Sequence, residues 1–382
     1  SGEHWAGRLY VRRVSVHLTR ALIPTRVTPN GLTWAMIALG LAVCFRSNVW
    51  NIGAEGQFVV GAIAASGIAM LATKDSGGWF FLPVLVGGIV GGMLWAAIVA
   101  LLRDRFNANE ILVSLMLVYV AEMLLSYLVY GPWRDPAGFN FPQTVTFAAP
   151  TQVPRLVPGL RVNVGLIVAL VAVAGMTVFL FRLFRGLQAQ VGGLAPLAAR
   201  YGGFSSRASL WTALLVSGGL AGLAGALEAT GPLGQLTPYV PVGYGFAAII
   251  VAFVGRLHPV GIVFSAVLMS MFYIGGELAQ SRMQLPKSIT GVFQGLLLFS
   301  LLLFILLNRR QTTLAVVYGV DMPALFIFHF SIYSLAAHWQ GLPMLDSFNL
   351  SIPTSIAFVF ASLAVLIGTI PMKGLFSPLV AD

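Results

Sequence analysis

Apolar runs recur along this chain at 28–45, 52–72, 79–102, 110–130, 163–181, 208–229, 258–279, 289–308, 313–337 and 352–371, with a shorter one at 243–255. About 20 apolar residues are enough to cross a bilayer core of roughly 30 Å. Inside lipid every backbone polar group must be satisfied internally, which leaves helices and closed barrels as spanning structures. Barrel strands are shorter and alternate in polarity, a pattern these runs lack. The expected fold class is therefore all-α, a polytopic integral membrane helical bundle of roughly 9–11 hydrophobic segments, some of them broken or half helices. Composition agrees: 9% of residues are charged, against roughly 25% in soluble domains. The run at 243–255 is short for a span, and Gly243 and Gly245 flank its start. It reads as a half-helix, tolerated where it is buried in protein or lines a cavity.

The formal net charge of +10 does not point to nucleic acid. The arginines sit between apolar runs, as Arg103 and Arg105, then Arg182, Arg185, Arg200 and Arg207, then Arg309 and Arg310. Basic residues of membrane proteins gather in cytoplasmic loops. With 103–105 inside, the polar stretch 131–162 lies outside, and 182–207, Arg256 and Arg309–Arg310 all lie inside. One conflict remains. If 28–45 and 52–72 both span fully, the basic N-terminal segment 1–27 falls outside, against the rule. Either the junction WNIGAEGQ is not a simple turn, or a first helix is missing. Segment 1–27 is itself mildly amphipathic and suits an interfacial helix on an anionic leaflet.

Several chemistries are excluded. None of the three lysines stands in G-x-x-x-x-G-K-[ST], so no Walker A loop holds nucleotide phosphates. H-E-x-x-H and G-x-S-x-G are absent, and the lone Cys44 allows no intrachain disulfide or cysteine metal cluster. TRVTPNGLTW is faintly similar to the start of membrane phosphatidyltransferases, but those need clustered aspartates, and the six here are scattered.

Polar residues at helix breaks are the positive signal. Glu55, Glu122, Glu228 and Glu277 lie within or at the ends of apolar runs. Ionisable groups there are costly and usually face a bundle interior or a water-filled path. The junction WNIGAEGQFVVGA places Asn51, Glu55 and Gln57 among glycines. One reading is an unwound stretch near the midplane, of the kind transporters use to bind substrate. The other is a helix start, with Asn51 as cap and Glu55 against its own helix dipole. Gly-rich GGIVGG at 87–92 and SGGLAGLAGA at 217–226 read as close-packing helix faces.

Seven ordered blocks carry a family resemblance: NIGAEGQFVVGAIAA (51–65), NANEILVSLMLVYVA (107–121), YGPWRDPAGFNFPQT (130–144), GLAPLAARYGGF (193–204), SGGLAGLAGALEATG (217–231), GYGFAAIIVAFVGRLHPVGIV (243–263) and the close of 289–308. Over roughly 30–308 the chain resembles permease subunits of bacterial ATP-binding-cassette importers, nearest the nucleoside and simple-sugar branch. The resemblance implies a permease transmembrane domain at 28–310 in the bacterial cytoplasmic (inner) membrane. It implies a second permease subunit, two ABC ATPase subunits, an extracytoplasmic substrate-binding protein and membrane lipid as partners. ATP would be bound and hydrolysed on the partners, with no cofactor or catalytic residue in this chain.

The resemblance also assigns roles. GLAPLAARYGGF is similar to the family's coupling segment, a short helix that docks on the ATPase; that role passes to Pro196, Ala198, Ala199, Arg200, Tyr201 and Gly203. Pro196 suits a helix start and Gly202–Gly203 a helix stop. Ala195 stands where the family usually has Asn, a lost cap worth about 1 kcal/mol. Polarity at the breaks puts the substrate path at Asn51, Glu55, Gln57, Asn107, Asn109, Glu110 and Glu228, with Trp50 and Phe106 as apolar walls. Two features depart from the family: the basic stretch before residue 28, and a C-terminal extension at 311–382 with two hydrophobic segments. In the extension IFHFSIYSLAAHW is weakly similar to acyltransferase helices. An integral membrane acyl or glycosyl transferase, using His329 and His338, and a permease-derived scaffold without transport are the alternatives.

Overall fold

The computed structural model describes residues 29–154 and 163–283. The expected interfacial helix at 1–27, the segments at 289–308, 313–337 and 352–371, and His329 and His338 lie outside them. The chain divides into two compact units, Ser1–Met271 and Phe272–Asp382. Of the second, the described part is the last turns of one helix.

Ten α-helices make up the described residues: α1 Pro29–Arg46, α2 Ala54–Ala69, α3 Phe81–Phe106, α4 Glu110–Tyr130, α5 Gly165–Arg182, α6 Phe184–Leu194, α7 Pro196–Tyr201, α8 Ser206–Glu228, α9 Tyr244–Val254 and α10 Pro259–Met283. Four continuous helical stretches, Gly78–Phe106, Glu110–Tyr130, Gly165–Arg182 and Ser206–Leu233, are long and apolar enough to cross a membrane. The all-α membrane bundle expected from the apolar runs is what the chain forms.

Glycine sets the spine. A Cβ at Gly61 of α2 would collide with Gly222 of α8, and one at Gly92 of α3 with Gly218 and Gly222. Only hydrogen at these positions lets the three backbones touch. In lipid there is little hydrophobic drive between helices, so close van der Waals packing takes its place. On the other face of α8, α1 runs antiparallel to it: Thr33 meets Glu228 and Cys44 meets Ala213.

Helix ends follow local chemistry. Asn109 caps α4 by accepting from the Ile111 and Leu112 N–H groups, at 2.9 and 3.4 Å. Ser205 caps α8 through Ala208 N–H at 3.2 Å. Asn107 ends α3 in the left-handed region at φ 50°. Beyond Glu228, α8 closes in one wide π turn, Ala229–Leu233, containing Pro232. The chain then returns as the half-helix α9, 11 residues long, after Gly243 at φ 85°.

The arginine-bearing turns gather at one end of the first unit. Arg207 pairs with Asp104 at 2.7 Å, and Arg46 reaches the Leu257 carbonyl and Gln190. At the opposite end the polar loop pairs with the segment after α8: Thr144 N–H donates to Leu236 and Phe147 N–H to Gly234. The stretch 182–207 is more ordered than a plain loop. Its first half is α6, whose small residues Gly186 and Ala189 are buried while Phe184, Leu187 and Leu194 face outward.

Candidate functional site

Two sets of residues stand out: polar groups inside the bundle, and a short prong at the arginine end.

The junction at 51–57 is a helix start with Glu55 in its first turn, as one of the two readings expected, but Asn51 is not its cap. The chain is non-helical only through residue 53, α2 starts at Ala54, and Gly53 is its cap residue without a side-chain bond. Asn51 instead turns inward. Its Oδ1 accepts from Gly53 N–H and from Gln57 Nε2, both at 3.1 Å. Its Nδ2 donates to Gln57 Oε1 and to Ser217 Oγ, both at 3.0 Å. Asn51, Gln57 and Ser217 are fully buried, so this knot pins the junction to the middle of α8. Cα-close packing of Gly53 on Ser114 fixes the same junction to α4.

Glu55 stands in the first turn of α2, but its carboxylate bonds to another helix. Its carboxylate accepts from the Gly243 N–H at 2.9 Å and from the Gly245 N–H, the first free donors of α9. A half-helix buried in the bundle exposes such donors with no water to take them. The carboxylate satisfies them and lies favourably at the positive end of the helix dipole. Gly245 is required because a Cβ there would run into the Glu55 backbone.

Glu228 completes the cluster. It accepts from Thr33 Oγ1 of α1 at 2.9 Å and from the Tyr244 hydroxyl of α9 at 3.4 Å. The Tyr244 ring packs edge-on to Trp34 and Phe58, with centroids 5.6 and 5.5 Å apart. Glu55 and Glu228, 173 positions apart by their numbering, thus converge on the first residues of α9.

Asn107, Asn109 and Glu110 are not part of this cluster. They lie at the arginine end, where Asn109 caps α4 and Glu110 pairs with Arg103 at 3.3 Å. Trp50 and Phe106 are both exposed. Reading the sequence missed Thr33, Ser217 and Tyr244. Tyr244 stood in GYG at the half-helix start, the available clue; Ser217 was hidden in a small-residue run.

The prong is α7. Pro196 opens it and Ala195, its cap residue, makes no side-chain bond. Gly203, at φ 75°, closes it. Phe204 N–H reaches the Ala199 carbonyl and Gly203 N–H the Arg200 carbonyl, at 2.9 and 3.1 Å, the paired bonds of a Schellman motif. Ala199 faces inward, while Ala198, Arg200 and Tyr201 face outward. Tyr201 is 95% exposed, Leu194 85% and Leu197 74%. Exposed apolar patches of this kind mark contact sites for protein or membrane.

A family model described as "Branched-chain amino acid transport system / permease component" matches residues 24–302. The chain belongs to this permease family. Among its relatives is the glucose ABC transporter permease protein TsgB13 of Haloferax volcanii, 32% identical over 73% of this chain and 76% of that protein. The guanosine ABC transporter permease protein NupP of Bacillus subtilis is 30% identical over 65% of this chain and 71% of its own length. The nucleoside ABC transporter permease protein NupB of Lactococcus lactis is 26% identical over 69% and 74%. No solved structure matches the chain. The permease is a multi-pass membrane protein, and family membership implies ATPase and substrate-binding components as its associates.

Proposed function

We propose that this permease is the transmembrane subunit of an ATP-driven importer that moves a nucleoside or ribose-like simple sugar across the cytoplasmic (inner) membrane of a bacterium. The observation that carries the reading is α7: an outward-facing helix closed at its C-terminus by Gly203, with Leu197, Arg200 and Tyr201 uncovered, in a chain of the permease family. Pro196, Ala198, Ala199, Arg200, Tyr201 and Gly203 form the ATPase coupling element. Arg200 presents a planar fork suited to a carboxylate on the ATPase. ATP is bound and hydrolysed on two such subunits, and this chain carries no cofactor. A second permease subunit, homologous or identical, completes the path, and lipid surrounds both.

The substrate class is supported by the relatives, named for glucose, guanosine and nucleosides. It is supported also by the donor and acceptor set of Asn51, Glu55, Gln57 and Glu228, which matches a hydroxyl-rich solute. Such a solute passes by exchanging its hydroxyls for Thr33 and Tyr244 at the carboxylates. Asn107, Asn109 and Glu110 line the cytoplasmic exit.

Uptake tests the reading. Cells lacking their own nucleoside and ribose uptake would express the permease with an ATPase, second permease and binding protein from the same genome. ATP-dependent accumulation of labelled guanosine or ribose is expected. An assembled complex that accumulates neither would overturn it.

A further inference from the structure

We propose that Arg46 is a positioning residue that couples the docking prong to the two helices holding the polar core; the proposal rests on the importer reading above. Arg46 ends α1, and its side chain is partly buried. Nε donates to the Leu257 carbonyl at 2.8 Å, in the turn joining α9 to α10. A second guanidinium nitrogen donates to Gln190 Oε1 of α6 at 2.7 Å. The guanidinium carbon lies 5.3 Å from the centroid of the Phe181 ring of α5. Phe181 in turn packs on His258, with centroids 5.1 Å apart. One planar group therefore bonds α1, the α9–α10 turn and α6 and stacks on α5.

Gln190 is braced as well. Its amide nitrogen donates to the Leu180 carbonyl at 2.6 Å. Three residues on, Gly193 approaches the backbone of Arg46 and Ser47 so closely that a Cβ would collide. One residue separates α6 from α7, so displacement of the prong is displacement of Gln190.

At their far ends, the two elements gripped by Arg46 hold the polar core. α1 carries Thr33, and α9 carries Gly243, Tyr244 and Gly245 at its start, all bonded to Glu228 or Glu55. Between grip and core run 11 residues of α9 and about three and a half turns of α1. A helix transmits displacement along its axis as a rod, and packed interiors deform little. A shift of α6 thus moves α1 and α9 together and draws Thr33 and Tyr244 away from Glu228. Lysine cannot replace arginine here, because a single ammonium lacks the rigid fork and the stacking face.

The test is the permease complex in proteoliposomes with its ATPase, second permease and binding protein, reading uptake and ATP hydrolysis in the same samples. Arg46→Gln, Arg46→Lys and Gln190→Leu are compared with wild type, each checked by gel filtration. Uptake per ATP is expected to fall about tenfold in Arg46→Gln and in Arg46→Lys, within the usual range of coupling between sites. Hydrolysis is expected to stay within about twofold. Gln190→Leu is expected to show the same split, and it carries the test if Arg46→Gln fails to fold. Combining Arg46→Gln with Gln190→Leu should add little, as for residues of one network. A proportional fall of uptake and hydrolysis, or no change in either, would overturn the role of Arg46. If wild type itself shows no substrate-dependent hydrolysis, the importer reading fails first, and the two failures are separable.

Discussion

Inside the bundle, Asn51, Gln57 and Ser217 satisfy one another, and Glu55 and Glu228 take up the donors at the start of α9. At α7 the reverse holds: Leu197, Arg200 and Tyr201 stand in the open. The contrast follows from the solvent each region meets. A polar group left unpaired in lipid costs several kcal/mol, so the core must be closed at rest. The prong stands at the arginine end, which the positive-inside rule assigns to the aqueous cytoplasmic side, where bare charge is tolerated. On the importer reading proposed above, the inner groups are bonds that a polar solute exchanges, and the prong is a surface left open for the ATPase.

Substitutions can break that comparison. The largest effect is expected for Glu55→Leu, which orphans the Gly243 and Gly245 N–H groups at about 1–3 kcal/mol each. Thermal melting in detergent should drop sharply, and Glu55→Gln should recover part of the loss, because its amide oxygen still accepts. Arg200→Glu, by contrast, should change melting by no more than about 0.5 kcal/mol equivalent. Equal melting of Glu55→Leu and Arg200→Glu would erase the distinction between closed core and open prong.

Next in size is Asn51→Ala, expected to cost about 1–3 kcal/mol by leaving Gln57, Ser217 and the Gly53 N–H without their partner. Hydrogen exchange at residues 53–57 should speed up if the knot holds the junction, and stay unchanged if it does not. Asn109→Ala should cost about 1 kcal/mol, as the loss of an N-cap, and fray only the first turn of α4. The smallest change is a gain. Ala195→Asn restores a cap to α7 and should stabilise that helix by up to about 1 kcal/mol, read as tighter ATPase binding. Weaker binding would mean that the cap position is itself part of the docked surface.

Helices were legible where the signal is local. The apolar run at 110–130 is α4 to the residue, and 208–229 differs from α8 by two residues at one end and one at the other. The half-helix at 243–255 also followed from its length and glycines, and the short helix from Pro196 from the family resemblance, which its proline and glycines fit. Pairings were not legible. Glu55 meets Gly243 across 188 positions and Thr33 meets Glu228 across 195, and no periodicity within a window reports such contacts. That is why the sequence placed Glu55 at the start of its own helix but did not reveal its bonds to α9. The helix α6 was hidden by its glycines and Arg185, although Phe184, Leu187, Val191 and Leu194 repeat at helical spacing. Arg46 follows directly on the apolar run 28–45, with nothing local to mark its reach to Leu257 and Gln190.

The most direct test of the docking claim is the ATPase activity of the complex in lipid, with wild-type permease and with Arg200→Glu. Activity that requires the permease, responds to the loaded binding protein, and falls at least about tenfold in Arg200→Glu is the predicted result, in line with a charged contact at a protein interface. Unaltered melting of the variant must accompany it. Full activity in Arg200→Glu, or a well-folded permease that retains no ATPase at all, would contradict the assignment of α7 as the coupling element.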